Sequence, residues 1–382
     1  MATIVHLITG LETGGAERML ARLVTGCERQ RYRSVVVSMT GPGAVGPLLE
    51  RAGIALHTLG MRRGVADVRG ATGLFPILRQ LRPEIVQTWL YHADLLGLLA
   101  RLRAPPFALF WNIRCTETVG VAAVRKILSW CSAKPHAVIV NSLAGRRFHE
   151  QIGYRPRRWE HIPNGCDTSL FKFNEKARRD LRSELNIADS TVVVGLPARY
   201  HPMKDHVTFL AAAARLAAVR PEAVFLLIGQ GVDRSNRALC QLIEAYGIAA
   251  RVKLLGERAD MPGVYSLLDI AALSSAFGEG CPNVLVEAMS CGIPCAATSC
   301  GDAAEILGPT GAVVPRRNSQ ALAAAWERLI SLEPDARRSM GAEARQRILR
   351  SYDLQEIVGR YDALYSEFLA EHRVADALPA TG

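Results

Sequence analysis

Two glutamates, Glu279 and Glu287, lie eight residues apart in the stretch Ser274–Pro294, SSAFGEGCPNVLVEAMSCGIP. The pattern reads as a strand running into a glycine loop that feeds a helix. Pro282 suits the first turn of that helix, where its missing N–H would be unpaired anyway. Glu279 then sits on the loop and Glu287 inside the helix. The helix start offers N–H groups and partial positive charge to an anion such as a diphosphate. A carboxylate on the loop could accept hydrogen bonds from sugar hydroxyls, and one further in from ribose hydroxyls. Upstream, Ala198–Asp205 (ARYHPMKD) sets Arg199 and Lys204 five residues apart directly after another strand. Arg supplies a planar fork and Lys a point charge, so the two can clamp a diphosphate. Such cations would stabilise charge building on a departing phosphate. Seen alone, each pair also reads as solvated surface charge.

The elements that hold these groups alternate along the chain. Thr3–Ile8 is an apolar strand; Gly14-Gly15-Ala16-Glu17 forms a glycine loop; Met19, Leu20, Leu23 and Val24 recur at helical spacing. Strands follow at Arg33–Met39, Ile85–Thr88, Ala108–Ile113 and Ala137–Asn141, with helices at Leu74–Leu81 and Ala93–Arg101. A second series opens near residue 190. Its strands are Val192–Gly195, Val224–Gly229, Val252–Leu255, Ile270–Leu273 and Pro294–Ala297. Its helices are Val207–Ala218, Ala238–Tyr246, Met261–Leu268 and Val284–Cys291, and Leu354–Phe368 follows as a last helix. This alternation predicts two α/β units with parallel sheets, joined by a linker over Pro163–Glu184. Ligands of such units bind at the carboxyl ends of the strands, so a cleft between them is the expected site.

Length and composition agree. The chain has 382 residues, 49% of them hydrophobic and 21% charged, which excludes a largely disordered chain. No run of 18 apolar residues predicts a spanning helix, and no leader with a basic start and apolar middle is read at the N-terminus. Nine cysteines without a C-x-x-C pair argue against a zinc ribbon and for a reducing cytoplasm. The four cysteines from 281 to 300 read as small packing residues. The net charge of +10 is uneven: residues 1–185 carry 27 Lys+Arg and 14 Asp+Glu, and residues 186–382 carry 19 and 22. The basic half could meet an anionic membrane, a phosphorylated substrate or nucleic acid. No aromatic-interleaved basic run supports nucleic acid. Gly229-Gln230-Gly231 lacks the third glycine of a dinucleotide fingerprint.

Taken together, these motifs resemble the family 4 retaining glycosyltransferases of GT-B fold. Glu279–Met289 looks like that family's Glu-x7-Glu signature, and Arg199 with Lys204 like its diphosphate pair. Pro163-Asn164-Gly165-Cys166-Asp167 resembles its interdomain turn, and Gly14-Gly15-Ala16-Glu17 its N-terminal loop. Gly256-Glu257-Arg258, Gly301 and Glu305 also fit. The resemblance implies an α/β GT-B architecture of two Rossmann-like domains facing a central cleft. The domains would be an acceptor-binding domain over 1–180 and a nucleotide-sugar domain over 181–353, with a helix over 354–373 crossing back to the first. It implies that Gly14 and Gly15 bring backbone N–H groups to the donor phosphate and acceptor, and that Arg199 and Lys204 hold the diphosphate. Glu279 would contact the donor sugar, the backbone of Cys281, Pro282, Asn283 and Val284 would face phosphate and sugar, and Glu287 would hold the ribose. Many members carry a histidine after a strand in the middle of the first domain; here that strand ends Phe110-Trp111-Asn112-Ile113-Arg114. Arg114 or Asn112 is therefore a candidate acceptor contact. His92 resembles the last histidine of a His-Asp-Trp-His stretch in related glycogen synthases and is a candidate catalytic residue.

The function so implied is retaining transfer of a sugar from a nucleoside diphosphate sugar, UDP favoured over GDP, to a hydroxyl of a lipid-linked glycan in cell-surface polysaccharide assembly. The family needs no divalent metal, and this chain has no Asp-x-Asp pair to present one. The arginine excess, including Arg62, Arg63, Arg101, Arg103, Arg146, Arg147, Arg157 and Arg158, suits peripheral contact with an anionic membrane from the cytoplasmic side. A sugar-nucleotide epimerase, an NAD-dependent oxidoreductase on twin Rossmann units, and an inactive membrane scaffold stand as the alternatives.

Overall fold

The computed structural model describes residues 1–12, 14–28, 30–62, 70, 72–114, 116 and 121–377, with side chains as far as 371. The chain forms two compact units: Met1–Gly165 with Leu354–Gly382, and Cys166–Asp353.

In the first unit the order is β1 (Ala2–Ile8), α1 (Gly15–Gly26), β2 (Tyr32–Ser38), α2 (Gly46–Arg51), β3 (Ala55–Thr58), α3 (Leu74–Leu81), β4 (Ile85–Trp89), α4 (Tyr91–Ala100), β5 (Ala108–Ile113), α5 (Ala122–Cys131), β6 (Ala137–Val140), α6 (Leu143–Gln151) and β7 (Trp159–His161). The strands make one parallel sheet in the order β3-β2-β1-β4-β5-β6-β7. Ile4 pairs with Ser34 on one side and Ile85 on the other, and Ile85 with Ala108. The central strands are apolar runs because helices cover both faces of the sheet. α3, α4 and α5 pack on one face; α1 and the last helix of the chain pack on the other.

The second unit contains α7 (Glu175–Glu184), β8 (Val193–Pro197), α8 (His206–Val219), β9 (Val224–Ile228), α9 (Arg237–Ala245), β10 (Val252–Leu254), α10 (Met261–Leu267), β11 (Ile270–Leu273), α11 (Asn283–Ser290), β12 (Cys295–Thr298), α12 (Ala303–Leu307), β13 (Gly311–Val314), α13 (Ser319–Ile330) and α14 (Pro334–Ser351). Its sheet is parallel in the order β10-β9-β8-β11-β12-β13. The order reverses beside β8 and β11, so the loops after these two strands leave the same edge of the sheet.

Two expectations are corrected here. The boundary falls between Gly165 and Cys166 rather than at 180. The stretch 163–184 is not a bare linker, because it holds α7. Asn174 caps that helix by accepting the Ala177 N–H at 3.0 Å. Leu181 is buried in the second core. Arg178 and Arg182 both reach Asp269, at 2.7 and 3.0 Å. The highly charged sequence of α7 hid this, since its buried face consists of one leucine and the stems of two arginines.

The last helix, α15 (Leu354–Ala377), belongs to the first unit. Its Tyr361 and Tyr365 are fully buried, and the Tyr365 ring stacks on Phe110 with centroids 6.2 Å apart. Asp362 and Glu367 on its flank pair with Arg31 and Arg158. Among the described residues no helix is long and apolar enough to cross a membrane.

Candidate active site

In the second unit, β8 runs into the loop that carries Arg199. The Tyr200 N–H donates to the Gln230 carbonyl at 2.8 Å, which ties this loop to the one after β9. A short 3₁₀ turn, Pro202–Lys204, follows. Asp205 then caps α8, accepting the Thr208 N–H at 3.1 Å and its hydroxyl at 2.6 Å. The turn is laced to the loop after β11: the Ala276 N–H donates to the Met203 carbonyl at 2.9 Å, and the Ser274 hydroxyl to the Lys204 carbonyl at 2.7 Å.

This lacing brings together side chains far apart in sequence. Lys204 Nζ meets Glu279 Oε1 at 2.5 Å, and the Ser275 hydroxyl donates to the same oxygen at 2.6 Å. Glu279 is only 7% exposed, and a carboxylate so buried needs a cation and donors to stay charged. Lys204 carries three N–H groups, so the bond to Glu279 leaves two for a phosphate. Lys204 and Glu279, expected to make separate contacts, form one pair. Gly301, at φ +60°, presses on the Glu279 loop from the turn after β12. A Cβ there would lie 2.4 Å from the Gly280 carbonyl oxygen, so a side chain would push the loop away. Arg199 is exposed and makes no hydrogen bond or ion pair among the described residues. His201, next to it, titrates below the usual histidine range, through partial burial and then the charges of Arg199 and Lys204. The loop is therefore a positive spot with a guanidinium available to an anion.

Glu287 sits within α11, 9% exposed, where its Oε2 accepts the Tyr265 hydroxyl at 2.9 Å. The buried Tyr265 phenol is pushed well above its normal range, by burial first and then by the charge of Glu287. Pro282 is the residue just before α11, and no side chain caps the helix there. Cys281 is buried at this start, with Asn283 and Val284 in the first turn. Burial raises the Cys291 thiol to about 12 and pushes Cys295 and Cys300 up too, which keeps them protonated. Nothing in the sequence singles out Ser275, within the Ser274–Pro294 stretch, or Tyr265, outside it; only the fold sets them against the two glutamates.

In the first unit, Gly14 caps α1 without a side chain, and Gly15 opens the helix. The Glu17 carboxylate lies over Gly14, where a Cβ would be 2.2 Å from Oε2. A negative group thus occupies the positive end of α1. Gly43, at φ +51°, lies against the Leu11 backbone in the loop after β1, where a Cβ would be 2.3 Å from the Leu11 oxygen.

His92 is exposed in the first turn of α4. The bend that places it turns on Leu90, whose φ of +73° and ψ of 156° are strained for a side chain with a Cβ. No sequence signal marks it, because glycine is the usual residue in that region.

Asn112 and Arg114 are placed differently from expectation. Both are buried, and the protein itself engages them. Asn112 Nδ2 donates to the Tyr361 hydroxyl at 2.9 Å, and Arg114 Nη1 donates to the same oxygen at 3.1 Å. Arg114 Nη2 also donates to Asn164 Oδ1, and its guanidinium lies 5.4 Å from the centre of the Trp89 ring. These groups brace α15 and the Asn164 turn. Arg63 and Cys115 lie outside the described residues.

Residues 13–170 match the sequence profile described as Glycosyltransferase Family 4, and residues 191–331 match that of Glycosyl transferases group 1. The chain belongs to the family 4 glycosyltransferases. It is 32% identical, over 53% of its length and 54% of the relative's, to a GDP-mannose-dependent monoacylated alpha-(1-6)-phosphatidylinositol monomannoside mannosyltransferase of Corynebacterium glutamicum. It is 26% identical, over 60% of its length and 62% of the relative's, to a UDP-Gal:alpha-D-GlcNAc-diphosphoundecaprenol alpha-1,3-galactosyltransferase of Escherichia coli. These matches span little more than half of either relative. The crystal structure of Anabaena HepE in complex with UDP aligns with a TM-score of 0.86 at 24% identity, covering 96% of this chain and all of that one. That likeness establishes the fold as GT-B.

Proposed function

We propose that the protein is a retaining glycosyltransferase that moves a sugar from a nucleoside diphosphate sugar to an acceptor hydroxyl. The observation that carries this reading is the second-unit cluster: Lys204 paired with Glu279, and an exposed, unengaged Arg199 beside them. In this reading Arg199 and the two remaining Lys204 donors take the diphosphate, Glu279 the hydroxyls of the donor sugar, and Glu287 the ribose. The bond from the anomeric carbon to the phosphate oxygen breaks, and a bond from that carbon to the acceptor oxygen forms on the same face. The acceptor proton passes to the departing diphosphate, whose charge the two cations stabilise. Neutralisation falls to Arg199 and Lys204 rather than to a divalent metal. Gly14 and Gly15 offer backbone N–H groups to the donor phosphate and the acceptor, and His92 is the candidate catalytic residue of the first unit.

We favour a UDP-sugar as donor and a lipid-linked glycan as acceptor. The names of two relatives support the acceptor class, since one concerns a phosphatidylinositol mannoside and the other a diphosphoundecaprenol. The GDP-mannose-dependent relative keeps a GDP-sugar as the second reading. The test is product analysis with UDP-, GDP- and ADP-sugars, each with and without a lipid-linked acceptor and with EDTA present. Transfer with retention from a UDP- or GDP-sugar, unaffected by EDTA, is the expected result. Sugar interconversion without acceptor would turn the reading to an epimerase, and binding of NAD alone would turn it to an oxidoreductase.

A further inference from the structure

One flank of the first unit has an unusual surface. Helix α5 buries Leu128 and Ser129 and turns Ala122, Ala123, Lys126, Ile127 and Trp130 outward. A solvent-facing helix side normally carries mostly charged and polar residues. Here Trp130 is 73% exposed. At the end of the neighbouring α4, Leu102 is 78% exposed and Leu99 is exposed too. Arg101 joins the two ends: its Nη1 donates to the Lys134 carbonyl, in the turn after α5, at 2.8 Å. Lys126 Nζ lies 5.5 Å from the centre of the Trp130 ring.

The charge on this flank has one sign. Between Asp94 and Glu150 the sequence holds eight Lys+Arg and a single acid, Glu117. Among the described residues, Arg101, Arg103, Lys126 and Lys134 make no ion pair. Some basic residues of this unit are paired with acids: Arg146 with Glu150, Arg31 with Asp362, and Arg158 with Glu160 and Glu367. On this flank unpaired cations coincide with exposed apolar side chains. A tryptophan and leucines flanked by free cations match the boundary between acyl chains and anionic headgroups.

We propose that this flank, with Leu99 and Leu102 at the end of α4 and Ile127 and Trp130 on α5, docks on an anionic lipid bilayer. Trp130 and Leu102 enter the acyl boundary, while Arg101, Arg103, Lys126 and Lys134 meet the lipid phosphates. α5 lies along the surface. The link to a lipid-linked acceptor rests on the transferase reading, but the docking itself does not.

Trp130 makes the test direct. Of the five tryptophans, Trp89, Trp111 and Trp326 are fully buried and Trp159 is half-buried, so Trp130 dominates any change in emission at the surface. The full chain is mixed at low salt with vesicles of phosphatidylcholine, and with vesicles of phosphatidylcholine and phosphatidylglycerol in equal parts. UDP binding is measured on the same samples. Expected are sedimentation with the anionic vesicles only, release by salt, a blue shift, and quenching by brominated acyl chains. Ile127→Ser with Trp130→Ser should weaken partitioning about tenfold or more. Arg103→Gln and Lys126→Gln should weaken it about fivefold each. UDP binding should be unchanged in all of these variants. Protein left in the supernatant overturns the proposal, as does vesicle binding without quenching of Trp130 or with full strength in the variants. A lipid-independent dimer that Trp130→Ser dissolves would also overturn it, giving the flank to a second copy. Loss of UDP binding in the unaltered chain would count against the transferase reading instead.

Discussion

Arg114 and Arg199 each follow the carboxyl end of a parallel strand, yet the two units use them in opposite ways. Arg114 is buried, with Asn112, Asn164 and Tyr361 as partners. Arg199 is exposed and unengaged, beside a lysine already set in place by Glu279. The contrast extends to their surroundings. The first unit sinks a row of polar groups under α15: His6, Gln87, Asn112 and Arg114, with Tyr365 donating to Gln87 at 2.5 Å. The second keeps its polar groups at the mouth of the sheet, held by short loop-to-loop bonds. Residue type after a strand does not distinguish a brace from a binding group. Exposure and prior partners do.

Substitutions can break this contrast, beginning where the expected effect is greatest. Lys204→Ala should lower transfer by about 100- to 1000-fold, the usual loss when one preorganised donor to a developing oxyanion is removed. Its melting temperature should fall as well, because the buried Glu279 carboxylate loses its cation, so the turnover of the protein that remains folded is the deciding readout. A large loss of folding with normal turnover would make Lys204 a brace like Arg114. Arg114→Ala should do the reverse. It removes the guanidinium donors from the Asn112 and Asn164 oxygens and the Tyr361 hydroxyl, at a cost of about 1–3 kcal/mol. Calorimetry should show it in the first unit's transition, with nucleotide binding by the second unit retained.

Acid should separate the units less sharply. His6 and His149 in the first unit are held down to about 3 and about 4 by burial, and His206 in the second to about 4 by burial first. Each is neutral when folded, so the unfolded chain takes up protons that the folded chain refuses as pH falls below the ordinary histidine value. Stability should therefore drop from about pH 6.5 toward 4, by about 1.4 kcal/mol per pH unit for each such histidine at most. Asp94 opposes this in the first unit. Burial holds its carboxyl well above the usual range, and its bond from Thr88 offsets this only in part. It binds a proton more readily folded than unfolded, so its contribution grows as pH falls. Asp94→Asn should remove that opposition and steepen the acid loss of the first unit alone, read from melting temperature against pH. The smallest effect expected is that of Tyr265→Phe. Losing one hydrogen bond to Glu287 should weaken nucleotide binding about five- to tenfold without changing turnover at saturation.

Much of this was legible in the chain. The buried parallel strands announce themselves as apolar runs, because both faces of each sheet are covered. Glu279, Glu287, Arg199 and Lys204 stand out because strand, loop and helix signals frame them. Other parts could not be read. α7 hides behind charges whose stems do the packing. The pairing of Lys204 with Glu279 spans 75 positions and depends on how two loops meet. Ser275 and Tyr265 are ordinary residues until the fold sets them against a carboxylate. The bend at Leu90 has no glycine to signal it. The bracing by Asn112 and Arg114 could not be read, because their partner Tyr361 lies some 250 residues on, with the Asn112 bond spanning 249.

The central claim is that Arg199 and Lys204 form the nucleotide diphosphate site. Its most direct test is a thermal-shift panel with UDP, GDP, ADP and NAD on the unaltered chain and on Arg199→Ala/Lys204→Ala. A ligand at about 100 times its dissociation constant stabilises by about 2.7 kcal/mol, which such a panel resolves. The account predicts a shift with UDP, or with GDP on the second reading, that disappears in the double variant. A shift with NAD alone, or a nucleotide shift that survives in the double variant, would contradict it.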